Sequence, residues 1–185
     1  MRSKSNCPAV VLLLLFASQV VVVLGAEGRT AGLCRDISLT PPSGWESTSP
    51  FPAVLGEGPY ATLKFVAKDG RNAVMIVTLL PDDLLGFRVE DQATLQQFTA
   101  AAAQAHVPPT ATLPQLDDFA LEDGIGVQVT VKRWPTPSRY RFTTIVCALI
   151  GAKHLVHCAI FHDGAESTEF VQAFEAILSA HSVDD

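Results

Sequence analysis

YRFTTIVCALIGAKHLVHCAIF, residues 140–161, decides the fold class. Two β-rich apolar runs, Tyr140 to Ile150 and His154 to Phe161, flank Gly151-Ala152, and a two-residue Gly-containing link between such runs signals a tight hairpin. Apolar residues dominate both alternating faces of this hairpin, so both faces read as covered, with helices on the two sides. Upstream, Ile125, Val127, Val129 and Val131 alternate with Gly126, Gln128, Thr130 and Lys132, the period of a strand with one wet face. Leu116 to Leu121 reads as a polar-sided strand near a sheet edge, turning at Glu122-Asp123-Gly124. Tyr60 to Ala67 and Ala73 to Leu80 flank Lys68-Asp69-Gly70-Arg71-Asn72, whose Asp-Gly is a second hairpin signal.

Two helices complete the pattern. Glu90 to His106 has acids at its start and Leu95, Phe98, Ala102 and Ala105 on one face, and Pro108-Pro109 ends it. The last helix is expected to open near Asp163, with Glu166 placed as in a capping box. Phe170, Val171, Phe174, Ile177 and Leu178 then form its apolar stripe. The order is strand, hairpin, helix, antiparallel strands, helix. It predicts an α+β fold, an antiparallel β-sheet flanked by helices, in one domain over residues 35–182.

The start of the chain carries an address. Arg2 and Lys4 precede AVVLLLLFASQVVVVL (Ala9–Leu24), and Gly25-Ala26 supply small residues for a cut. Charged, then apolar, then small is the order of a secretory signal peptide. A spanning helix needs about 20 apolar residues, more than this run holds. Residues 1–25 are therefore expected to be removed, leaving no membrane span, and residues 26–34 read as a flexible Gly-rich lead-in. The expected destination is the periplasm or the secretory pathway.

Net charge is −6 for the whole chain, and loss of Arg2 and Lys4 makes the remainder more acidic. Nucleic acid and anionic lipid both demand clustered Lys and Arg, so neither is an expected partner. Lys132, Arg133, Arg139 and Arg141 form the one basic cluster; beside a Pro-rich turn it reads as a solvated strand end. Cys34, Cys147 and Cys158 remain after Cys7 leaves with the signal. In an oxidising compartment three readings stay open: buried free thiols, a Cys147–Cys158 disulfide across the hairpin, or a bridge from Cys34. A turn at Gly151-Ala152 places Cys147 opposite Val156 and Cys158 opposite Ile145, on one face and diagonal. A register shifted to Ala152-Lys153 would set the thiols directly opposite; a disulfide needs Cα atoms within about 7 Å, and either geometry is near that limit.

No catalytic constellation stands out. Gly-x-Ser-x-Gly, phosphate-loop and His-Glu-x-x-His patterns are absent from the sequence. His154, His157 and Cys158 resemble metal ligands in order, but strand alternation sends His157 to the face opposite His154 and Cys158, and a structural zinc site wants four convergent ligands. His157 and His162, five apart, also take opposite faces. Asp82-Asp83 and Asp117-Asp118 read as solvated acids, because neighbours cannot span a substrate. No catalytic residue, metal site or cofactor is expected.

Ile37-Ser38-Leu39-Thr40-Pro41-Pro42-Ser43-Gly44-Trp45 resembles the opening strand and Pro-x-Gly-Trp turn of the PsbP-like family and of the DcrB-like envelope proteins of similar fold. The close of the chain resembles that family in its layout. Strand Arg141 to Leu149, Gly151-Ala152-Lys153 and strand His154 to Phe161 lead into a helix with Phe170 and Phe174 that ends near Ser179. The likeness spans most of residues 35–182. It implies a layered sandwich and a non-catalytic accessory protein that stabilises or helps to assemble a larger complex. It carries over no functional residue, because Pro42, Gly44 and Trp45 are structural turn positions. A photosystem role is not implied, since the start is too short for a plastid transit peptide followed by a lumen signal. The expected function is partner binding by an exported accessory domain. The alternatives are a small-ligand carrier, with its pocket under the 90–106 helix or beside the 46–59 loop, and an enzyme of unrecognised type.

Overall fold

The computed structural model describes residues 31–34, 37–47, 62–67, 73–80, 88–133, 139–151, 153–164 and 167–182. The segment read as a signal peptide, the expected 46–59 loop beyond Ser47 and the expected turns at Asp69-Gly70 and Pro135 to Ser138 lie outside the described residues.

The central hairpin is present, with a different closure. β8 (Phe142–Ile150) and β9 (His154–His162) pair antiparallel, and Ile150 faces His154. Three residues, 151–153, therefore make the link rather than Gly151-Ala152 alone. Gly151 has φ +59°, the left-handed conformation that closes such a loop without a Cβ penalty. One extra residue in the link slides the register by one, and that sends each side chain to the other face relative to its partner strand.

From this hairpin the sheet extends both ways. β7 (Gly124–Lys132) pairs β8, and β6 (Asp117–Leu121) pairs β7 at the edge. On the other side β5 (Val74–Leu80) pairs β9, followed by β4 (Thr62–Ala67) and β3 (Trp45–Ser47). The order is β3-β4-β5-β9-β8-β7-β6, antiparallel throughout. β5 leads into helix α1 (Gln92–Gln104), which delivers the chain to the far edge. The meander β6-β7-β8-β9 then returns, and β9 closes against β5.

A second, three-stranded sheet holds β1 (Ala31–Cys34), β2 (Ile37–Leu39) and β10 (His181–Ser182) in the order β1-β2-β10. Residues 31–34, the last four of the stretch read as a lead-in, form β1. β10 follows helix α2 (Thr168–Leu178) and returns the C-terminal segment to β2. A two-residue strand has no periodicity to read, so no sequence pattern marks it.

Each helix packs on its own face. α1 seats Leu95, Phe98, Ala102 and Ala103 against Val127, Val129, Ile145, Cys147, Leu155 and Ala159. Thr99, not Ala105, joins its buried side. Its cap is Asp91, whose side chain accepts from the Thr94 backbone N–H at 2.8 Å; the first turn itself holds no acid. α2 seats Ala173, Ala176 and Ile177 against the opposite face, with Met75, Val77, Val146, Cys158 and Ile160. It begins later than expected, because Ser167 rather than Asp163 is the cap and accepts from the Phe170 N–H at 3.1 Å. Val171 and Leu178 are exposed, so the outer part of the expected stripe does not enter the core. The face of β7 read as wet is half covered: Phe119 lies over Gly126, and its ring meets Phe174 of α2 at 5.3 Å.

Candidate functional site

The α1 side of the sheet brings together the groups with most chemical potential. The β8–β9 register sets Cys147 opposite His157, both under α1. Phe98 meets the His157 ring edge-on at 6.4 Å. Thr99, whose hydroxyl donates to the Leu95 carbonyl at 2.8 Å, lies beside the thiol. His106, just past the end of α1, meets the Phe161 ring at 6.0 Å. A cysteine beside a histidine is the raw material of nucleophilic catalysis, yet the working nucleophile is a thiolate. Burial pushes the Cys147 thiol up to about 12, against a smaller lowering effect of Thr99. Burial, then nearby His106, pushes His157 down to about 4. Burial, then Arg133, does the same to His106. At neutral pH the pair is a neutral thiol beside a neutral imidazole, and the Nδ1 of His157 is buried with no hydrogen-bond partner among the described residues.

The α2 side carries a polar chain. Thr130 Oγ1 and Thr144 Oγ1 are 2.7 Å apart, and Thr144 Oγ1 lies 2.8 Å from His162 Nε2. Phe142 stacks on the His162 ring at 5.9 Å, and Phe170 tilts over it at 4.7 Å. Burial lowers the His162 pKa, with the Gly164 backbone and Asp163 pulling the other way. This chain ties three strands, β7, β8 and β9, under the start of α2. Trp45, 6% exposed, belongs to the same side, and its Nε1 donates to Gln172 of α2 at 3.3 Å. Gly44 has φ +76°, and the Trp45 N–H donates to the Pro42 carbonyl at 3.2 Å.

The candidate disulfide is corrected by the register. Cys158 stands opposite Val146 and packs on the α2 side, whereas Cys147 packs under α1. The two are buried free thiols on opposite faces of the sheet. A two-residue link in either position would have put them on one face; the three-residue link does not. The Cys34 side chain lies outside the described residues. Among the described residues no group of three His, Cys, Asp or Glu is placed to hold a metal ion. Asp117 and Asp118 are exposed on the edge strand, and Gln96 donates to both Asp118 oxygens at 2.9 and 3.0 Å. Asp82 and Asp83 lie outside the described residues. No helix among the described residues is long and apolar enough to cross a membrane.

Of the basic cluster, Lys132, Arg139 and Arg141 are exposed and Arg133 is half-buried. The Arg133 N–H donates to the Arg141 carbonyl at 2.9 Å, which prolongs the β7–β8 ladder by one pair. Alternation then aims Arg133 to the α1 side, where its guanidinium lies 4.8 Å from the Phe161 ring centroid. Arg139 lies 5.6 Å from the Tyr140 ring, and the Tyr140 and Phe161 rings are 6.0 Å apart. Tyr140 and Phe161 are each half-buried. Sequence spacing hid this arrangement, because Phe161 comes from a strand two ladders away. No protein-family model and no curated protein matches the chain.

Proposed function

We propose that this chain is an exported, non-catalytic accessory domain that binds a protein partner and helps to assemble or stabilise an envelope or secretory complex. The observation that carries this reading is the state of Cys147 and His157. The pair best suited to nucleophilic chemistry is buried, with a thiol pushed up to about 12 and an imidazole pushed down to about 4. These groups serve packing between α1 and the sheet. The PsbP-like layered arrangement, implied by the Pro41-to-Trp45 turn and the closing hairpin and helix, supports the same reading. The signal-peptide pattern supplies the export step.

A small-ligand carrier is the second reading. It is favoured by His157 Nδ1, which is buried under α1 without a hydrogen-bond partner among the described residues; buried polar atoms are nearly always satisfied by protein, water or ligand. The test is co-elution of the purified chain with its native envelope or secretory fraction, followed by native mass spectrometry. One stoichiometric protein partner is the expected result. A monomer that retains a small molecule and takes no protein would overturn the accessory reading in favour of the carrier.

A further inference from the structure

We infer that the outer edge of β6 takes up an extended, basic segment of the partner as an added antiparallel strand, with two consecutive Lys or Arg side chains meeting Asp118 on one face of the sheet and Asp117 on the other. The inference rests on the partner-binding reading and names the seat and the chemistry.

The backbone of β6 is laid out for such an addition. Among the described residues β6 pairs with β7 alone, and the register from Asp117 to Leu121 has no bulge. Leu121 faces Gly124 across the two-residue Glu122-Asp123 link. In a hairpin of that kind the flanking residues exchange ladder bonds, and every second residue repeats the exchange. Leu121, Phe119 and Asp117 therefore bond to β7, while the N–H and C=O groups of Asp118 and Ala120 point outward. No described backbone group outside the β6–β7 ladder bonds to either residue, and both are exposed. An incoming strand supplies the missing partners. The opposite edge of the sheet, β3, is only three residues long, which makes a poorer template.

Charge selects the occupant. Residues 107–131 contain Asp117, Asp118, Glu122 and Asp123 and no Lys, Arg or His. Asp118 stands opposite Val127 on the α1 side, and Asp117 opposite Gln128 on the α2 side. Successive strand residues alternate in the same way, so two adjacent basic residues reach both carboxylates. Gln96 of α1 donates to both Asp118 oxygens and holds that carboxylate in place, leaving lone pairs for a cation. Lys132 shares the face of Asp117 but lies four residues beyond Gln128 along β7, about 13 Å away at the usual rise. A second copy of β6 would bring the same acids into one seam, and like charges across a strand pair are destabilising.

The test is fluorescence anisotropy of a labelled peptide, STVTVKKT, titrated with the full chain. Saturable binding is expected. An Asp117→Asn, Asp118→Asn double variant should bind about tenfold more weakly, the effect of two exposed charge pairs. Glu175→Gln, an acid on the outer side of α2, should bind as the parent does. Ala120→Pro removes an outward N–H and no bond to β7, so it should melt as the parent does and lose the peptide. Should that variant not fold, the peptide decides. N-methylation of its second threonine, which faces Ala120, should abolish binding; N-methylation of the next valine, whose N–H points away from β6, should not. The inference is overturned by absence of saturable binding, by an equal loss in Glu175→Gln, by unchanged binding of the N-methyl-threonine peptide or to folded Ala120→Pro, or by self-association of the parent that Ala120→Pro abolishes. The two readings fail separately. A stoichiometric native partner still held by Ala120→Pro keeps the accessory role and removes this edge. Peptide binding at β6 by a chain that recovers no native partner keeps the edge and removes the accessory role.

Discussion

Cys147 and His157 face each other across β8 and β9 beneath α1, while Cys158, one strand position from His157, stands on the other face of the sheet opposite Val146. One register thus separates the two thiols and pairs one of them with an imidazole. Most consequences that can be tested follow from that register and from the seal α1 places over it.

Stability should fall as pH drops from 6.5 towards 4. His157 titrates near 6.5 when unfolded and near 4 when folded, so below pH 6.5 the unfolded chain takes up a proton that the folded chain resists. Its contribution is complete above pH 6.5, shrinks through the window and levels off below 4. A shift of that size corresponds to roughly 3 kcal/mol. His106 acts in the same direction. Urea unfolding at pH 4.5, 5.5 and 7 reads the slope, and His157→Gln is expected to flatten it. A parent profile flat across this window would mean that His157 is not sealed as described.

Neither sheet thiol should react while the chain is folded. Burial raises both Cys147 and Cys158, so iodoacetamide at pH 8 is expected to leave them intact and to label both after unfolding. Peptide mapping without reductant should yield no Cys147–Cys158 linked pair. Recovery of that pair would require a register other than Cys147 with His157.

Gly124→Ala is expected to destabilise the domain by about 1–3 kcal/mol, the range for forced overpacking. A Cβ at this position would overlap the Leu149 carbonyl oxygen, which is backbone of the neighbouring β8 and has no room to yield. Chemical denaturation reads the loss. Gly126→Ala is expected to cost less, because there the obstacle is the Phe119 ring, which can swing outward at the edge strand.

Leu95→Ala should cost about 3 kcal/mol, as for other large-to-small changes at sealed positions. Leu95 is 0% exposed and is the anchor of α1 on the sheet. Hydrogen exchange should then show α1 opening before β8 and β9. Uniform loss of protection would instead place α1 in the same cooperative unit as the sheet.

The local pattern of the chain carried a good part of the fold. Alternation at Val127, Val129 and Val131 marked β7, the double apolar face of 142–150 marked a strand covered on both sides, and the Leu95–Phe98–Ala102 spacing marked α1. Ends were less legible: Ser167 caps α2 although Asp163 carries the clearer sequence signal, because a cap depends on where the preceding strand releases the chain. The candidate site was hardly legible at all. Arg133 and Arg139 are visible as charges, but the rings they cover depend on how β7, β8 and β9 align.

The sequence by itself determined β2, β4 to β9 and the two helices, and which of their sides are apolar. These follow from periodicity and backbone preference, which act within a few residues. Only the tertiary structure decided that β9 inserts between β5 and β8, that β10 returns to β2, that Cys147 meets His157 rather than Cys158, and that Arg133 lies over Phe161. Those are pairings between distant segments. The pairing of Cys147 turns on a single residue in the 151–153 link, because side chains alternate along a strand and one step of register exchanges the two faces.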